Sequence, residues 1–254
     1  MIDQKANWSD LLNEAVREPG LILKAYSAFH GYSLGNQVAA MVQCARRGIQ
    51  PGPINTYQGW LSLNRQVKKG ERALWLCMPL ARKIENDQGE DEHVVASFAW
   101  KPRWFVISQT IGEEFHLPPI PTWEMSLALA NLNIKEVEFT HLDGNALGYA
   151  YKREVAISPL APLPWKTLFH ELAHIELGHT AELSFIDSEH APRNLREVEA
   201  EAVSLLLCES LKLPGSEYCR GYIQSWLHSD VIQEKSAQKI FGAADRILRS
   251  GREE

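Results

Sequence analysis

The chain has only four cysteines in 254 residues, and Cys44, Cys77, Cys208 and Cys219 form no C-x-x-C pair. That spacing gives neither a zinc ribbon nor a dithiol redox motif, so reduced, mostly structural thiols are expected. No run of about 18 apolar residues occurs, which argues against a membrane-spanning helix. The opening Met1-Ile2-Asp3-Gln4-Lys5 lacks a basic segment followed by an apolar one, so no secretory leader is expected. A soluble, cytoplasmic protein follows as the expectation. Internal repeats and low-complexity tracts are absent as well. With 45% hydrophobic and 23% charged residues the composition is that of a globular chain, not a disordered one.

What is present is a complete H-E-x-x-H, in Thr167-Leu168-Phe169-His170-Glu171-Leu172-Ala173-His174. Residues four apart on a helix lie about 6 Å apart on one face, so His170 and His174 can aim their imidazoles at one ion. Glu171 points elsewhere; in such sites the glutamate stays off the metal and serves as base toward a water that the metal activates. Pro164 suits the first turn of this helix and Gly178 its end. Leu168, Leu172 and Ile175 supply the apolar stripe that holds it down.

Catalytic zinc sites use three protein ligands and keep one open position. His179 is carried to another face from His174 and is expected beside the metal or as a cap. The segment Arg196 to Leu207 reads as one helix, on which Glu199 shares a face with Leu195, Ala202 and Leu206. A carboxylate on a core stripe requires a partner or a metal, which makes Glu199 the expected third ligand. Glu197 and Glu201 share their face with Arg193, Ser204 and Cys208 and are expected on a solvated acidic surface.

The length suits two modest domains, divided here into 1–115 and 122–254 with a proline-rich linker between them. The net charge of −6 is uneven: residues 1–115 carry 13 Lys and Arg against 12 Asp and Glu, and the remainder carries 13 against 20. The first half is the better partner for an acidic polymer. Between Arg46 and Lys83, eight cations (Arg46, Arg47, Arg65, Lys68, Lys69, Arg72, Arg82 and Lys83) face the single acid Glu71. Tyr57 and Trp60 are interleaved with them. Cations for phosphates beside rings for bases are what non-specific single-strand binding uses, although a basic surface over core aromatics has the same composition.

Periodicity and turn residues predict helices at 7–18, 21–30, 36–47 and, capped by Thr56, from Tyr57 to about Leu63. A strand over 73–84 returns over 93–108 around the turn Asn86-Asp87-Gln88-Gly89. After the linker come a helix from Thr122 to Leu132, short strands at 135–141, 147–151 and 154–157 with a turn at Asp143-Gly144-Asn145, and the H-E-x-x-H helix. Helices at 195–213, 216–228 and 234–249 complete the chain. The fold class is α+β: N-terminal helices with an antiparallel hairpin, then a small sheet leading into the histidine helix, the usual zincin layout.

With these residues in place the chain resembles the ArdC-type antirestriction proteins over nearly its whole length. The likeness in the first half rests on Tyr32-Ser33-x-x-Asn36, on Thr56-Tyr57-Gln58-Gly59-Trp60-Leu61 and on Val67-Lys68-Lys69-Gly70-Glu71. In the second half it rests on the H-E-x-x-H, on Arg196-x-x-Glu199-x-x-Ala202 and on Tyr222-Ile223-x-x-Trp226. The resemblance implies an N-terminal single-stranded DNA-binding domain and a C-terminal metallopeptidase-like domain of the small gluzincin kind, in a plasmid-type protein that shields incoming mobile-element DNA from restriction. It further implies one Zn2+, with Glu199 as a ligand, Glu171 as base and Tyr222 as a candidate transition-state donor. The aspartate that often follows the alanine in related zinc peptidases is Val203 here, so another group, such as Glu197 or Glu201, must orient a histidine ligand. Two further readings stay open: a DNA-coating protein whose zinc site is structural or vestigial, and a peptidase that cleaves a repressor.

Overall fold

A computed structural model describes residues 6–85, 91–116, 119–140, 146–180, 192–228 and 230–253. The expected turns at 86–89 and 143–145 lie outside the described residues, as does the side chain of Lys83.

Three helices open the chain. In α1 (Trp8–Arg17) the Asn7 side chain accepts from the Asp10 amide at 2.7 Å and caps the first turn. After Pro19-Gly20 come α2 (Leu21–Phe29) and α3 (Leu34–Arg47), the latter ending on Gly48 in the left-handed conformation at φ +63°. A short strand, β1 (Ile54–Thr56), leads into α4 (Tyr57–Ser62), where the Thr56 hydroxyl accepts from the Gly59 amide at 3.1 Å. Then follow β2 (Arg65–Val67), the long strands β3 (Leu74–Glu85) and β4 (Asp91–Val106), a 3-10 turn at Ile107–Gln109, and β5 (Thr110–Gly112). The first sheet is antiparallel with order β1-β4-β3, and β2 pairs with β5 in a separate ribbon. β5 begins at the threshold of the expected linker. A three-residue strand carries too little alternation to be seen in sequence.

The second part begins with α5 (Met125–Asn131), which starts after Glu124 and takes no cap from Thr122. Of the strand expected over 135–141, only β6 (Lys135–Glu136) forms. β7 (Gly148–Tyr151) and β8 (Glu154–Ile157) match their expected spans closely. Their sheet has order β6-β8-β7, leaving β7 at an edge. The histidine helix is α6 (Pro164–Glu176), followed by α7 (Arg193–Ser210), α8 (Ser216–Leu227) and α9 (Glu234–Ser250). The α+β class expected from sequence is the one observed.

The core explains how these parts meet. Leu11, Leu12, Val16, Ile22, Phe29 and Val38 from α1–α3 belong to one apolar cluster with Leu168, Leu172, Leu205, Leu206, Ile223, Ile240 and Ile247 from α6–α9. Polar contacts cross the same boundary. Arg220 donates to the carbonyls of Ala15 and Val16 and pairs with Glu209, whose other oxygen accepts from the Ile22 amide at 3.2 Å. Asp245 accepts from the Leu34 amide at 2.9 Å, and the Ser9 hydroxyl donates to the Ile232 carbonyl at 2.7 Å. The division at a linker predicts two cores, whereas α1–α3 complete their burial on α7–α9. Cys44, Cys208 and Cys219 are buried free thiols. Burial pushes Cys44 up to about 12 and Cys208 up to about 11, which leaves both inert near neutral pH.

Candidate metal centre

α6 is anchored by the face that carries Leu168, Leu172 and Ile175, all buried. Its opposite side, one helical turn long, presents His170, Glu171 and His174 to a cavity of about 470 Å3. Edge strand β7 forms one wall with Gly148 to Tyr151, and the start of α7 forms another with Arg193, Arg196 and Glu197. A Cβ on Gly148 would stand 2.8 Å from Cγ2 of Thr167 and 3.2 Å from Cγ of Glu171, so only glycine lets this strand lie so close to the helix.

Three side chains converge. Nε2 of His170 and Nε2 of His174 are 3.1 Å apart, and Oε2 of Glu197 lies 3.4 Å from the first and 3.7 Å from the second. In a tetrahedral site with bonds of about 2.0–2.1 Å, neighbouring ligand atoms stand about 3.3 Å apart. The triangle therefore fits one divalent cation, and two imidazoles with one carboxylate are the donor set of many catalytic zinc sites. Among the described residues these three form the one such group of possible ligands.

Glu199 is not among them, and this corrects the expectation from sequence. Its side chain is buried, as the face argument requires, but Oε2 lies 3.0 Å from Nε2 of His179 and Oε1 accepts from the Ser236 hydroxyl. The face argument failed because it treats α7 as amphipathic. From Val198 to Ser210 every residue of α7 is buried, with α6, α8, α9 and α2 packed around it, so burial does not single out one carboxylate. Glu201, expected on a solvated surface, is also buried and pairs with Lys166 at 2.5 Å. Glu197 lies at the open end of the helix, partly accessible, where a ligand can face both ion and substrate. Glu197 and Glu199 are separated by a single residue in a run of alternating acids, and sequence offers no signal that separates them.

Both histidines are held from behind. Nδ1 of His170 is 3.2 Å from Oε1 of Glu201, a charge contact and not an aligned hydrogen bond. Nδ1 of His174 is 3.0 Å from Nδ1 of His179, which continues to Glu199. Glu201 thus stands beside a histidine, where an orienting group was anticipated in place of an aspartate at Val203. Burial pulls His170 down, but Glu197 and Glu201 outweigh it and hold the ring at about 9. His174 falls to about 4 through burial and the nearby charge of His170. Burial raises Glu201, but His170 and Lys166 overcome this and bring it to about 2. For Glu171 burial prevails and pushes the carboxyl up. Tyr222, on α8, is half exposed and does not line the cavity.

The residues expected at a DNA interface differ in exposure and in partners. Trp60 is fully buried, its Nε1 donating to the Phe105 carbonyl at 2.8 Å and its ring edge-on to Phe115. It cannot stack on a base, which corrects that assignment. Arg46 is paired with Glu14 at 2.8 Å. Arg47 donates to the carbonyls of Arg72 and Ala73, Arg65 to Thr110 and the Glu113 carbonyl, and Lys68 to the Ser108 carbonyl at 2.8 Å. Tyr57, Lys69 and Arg72 are exposed.

The structure thus defines an α+β protein with an H-E-x-x-H cavity furnished for one cation. Residues 4–101 match the family model of the N-terminal domain of anti-restriction factor ArdC. The fold is similar to that of the antirestriction ArdC protein from plasmid R388. Its metal-free crystal structure aligns at 21% identity with a TM-score of 0.53, covering 96% of this chain and 94% of that one. Its Mn(II)-bound structure aligns at 20% identity with a TM-score of 0.56, covering 97% and 98%. No curated protein matches the sequence. Residues 4–101 are thus similar to the ArdC N-terminal domain, and the fold of the chain over nearly its whole length is similar to that of the ArdC protein. Among the described residues no helix is long and apolar enough to cross a membrane.

Proposed function

We propose that this chain acts as an ArdC-type antirestriction protein and as a zinc-dependent hydrolase of peptide bonds, with His170, His174 and Glu197 as ligands and Glu171 as general base. The carrying observation is the triangle of 3.1, 3.4 and 3.7 Å between three ligand atoms, with Glu171 on the wall of the same cavity. A divalent cation bound there supplies a Lewis acid that polarises a carbonyl and acidifies water. Glu171 takes a proton on its carboxylate and returns it to the leaving nitrogen, and its burial raises its basicity toward that task. Strand β7 lies at an edge of its three-stranded sheet and along the cavity, the position at which an extended peptide adds as a further strand. A structural metal site has no use for a glutamate so placed.

The N-terminal part supports a second role, binding single-stranded DNA so that incoming mobile-element DNA is shielded. The supporting observation is the exposure of Lys68, Lys69 and Arg72 in one short loop, with Tyr57 exposed on the neighbouring α4. Purified protein assayed on casein beside Glu171→Gln tests the hydrolase reading. The variant should keep its metal and lose about 10²–10⁴-fold in rate. Equal hydrolysis by both would remove Glu171 as the base.

A further inference from the structure

Neither imidazole ligand can choose its own tautomer, and at His174 the neighbours make the choice. Nε2 of His174 faces His170 and Glu197, so Nδ1 is the atom that points away, 3.0 Å from Nδ1 of His179. Two ring nitrogens at that distance share one hydrogen, and either could carry it. Glu199 decides between them. A carboxylate accepts only, and its Oε2 lies 3.0 Å from Nε2 of His179, so that nitrogen is the donor and, in the neutral ring, Nδ1 of His179 is the acceptor. Nδ1 of His174 must then donate, which leaves the lone pair on Nε2, toward the cation.

We propose that His179 and Glu199 are positioning residues that fix His174 as a ligand, by a directed chain from its Nδ1–H through the His179 ring to a buried carboxylate. The chain ties α6 to α7, and the Ser236 hydroxyl ties it on to α9 by donating to the second oxygen of Glu199. The side chains of His179 and Glu199 are about nine-tenths buried, so water cannot take over either bond. This also gives the buried carboxylate of Glu199 the partners it needs: unpaired, it would be strongly destabilising. His170 is served differently, by the Glu201 carboxylate and Lys166, so the two ligands can be disturbed separately.

The inference rests on His170, His174 and Glu197 being the ligands, and the test separates the two. Full-length wild type, His179→Phe, Glu199→Ala, Glu199→Gln and His170→Ala are titrated with zinc against a chromophoric chelator, and with Co(II) to read its visible absorption bands. Wild type should bind one metal and His170→Ala should fail to bind. His179→Phe and Glu199→Ala should still take one metal, with affinity lowered about 10–100-fold and the Co(II) bands displaced. Glu199→Gln should recover much of the loss, because an amide oxygen still accepts from Nε2 of His179. A melting curve of each metal-free variant identifies any that fails to fold. If His179→Phe does, the comparison of Glu199→Gln with Glu199→Ala decides. Wild-type affinity and an unchanged Co(II) spectrum in Glu199→Ala would overturn the positioning chain alone. A wild type that binds no metal would overturn the metal centre as well.

Discussion

The metal cavity and the basic stretch between Arg46 and Arg72 are both rich in charge, yet they use it in opposite ways. In the cavity, charges meet charges. His170 faces Glu197 and Glu201, Glu201 also meets Lys166, and His179 meets Glu199, all but the partly accessible Glu197 largely out of water. In the basic stretch, Arg47, Arg65 and Lys68 give hydrogen bonds to backbone carbonyls, and Arg46 is tied to the carboxylate of Glu14. Carbonyl bonding shapes a loop without neutralising the cation, so such a surface keeps its field for a partner. The lesson is that a count of charges says little until their partners are known. Buried groups that pair define a point in space, whereas exposed ones define a potential.

The comparison predicts unequal costs for removing a charge. The largest is expected at Glu209, buried in α7 against Arg220. Glu209→Ala strands that guanidinium beneath α1 and α2 and should destabilise the full chain by about 3–5 kcal/mol, read from denaturant unfolding. A loss below about 1 kcal/mol would mean that the pair does not hold α1–α3 to α7–α9. Trp60→Ala should cost a similar or slightly smaller amount, about 3–5 kcal/mol, because it empties a core site of α4 and β4. An unshifted melting curve together with weaker DNA binding would return Trp60 to the interface. The smallest change in stability, within about 0.5 kcal/mol, is expected for Lys68→Ala combined with Lys69→Ala. Its effect should appear in binding. The dependence of log affinity for a single-stranded oligonucleotide on log salt should flatten by about 1.4, two phosphate contacts at about 0.7 each. An unaltered slope would remove this loop from the DNA interface.

The sequence was most informative where a short pattern has one geometric meaning. The i, i+4 spacing of His170 and His174, Pro164 at the start of α6, and the cap at Thr56 are local, and each appears where expected. Long periodic elements such as α9 and β3 were legible for the same reason. What escaped depends on neighbours distant in sequence. Glu197, not Glu199, stands beside the two histidines because α7 is enclosed on all sides from Val198 onward, a fact of packing that its own periodicity does not carry. Trp60 was misread because an aromatic among cations looks alike in a core and on a surface; the Phe105 carbonyl that binds its indole is 45 residues away. The strands β1, β2 and β5 are three residues each and exist through their pairing partners. The sequence did carry a hint of His179 as a group beside the two histidines, although its link to Glu199 joins residues 20 apart in the chain.

The central claim is that one cation sits between His170, His174 and Glu197, and zinc titration of Glu197→Ala beside Glu199→Ala tests it most directly. The account predicts one zinc per chain in Glu199→Ala, bound more weakly than in wild type, and no stoichiometric zinc in Glu197→Ala. Retention of zinc by Glu197→Ala, with its loss from Glu199→Ala, would contradict it.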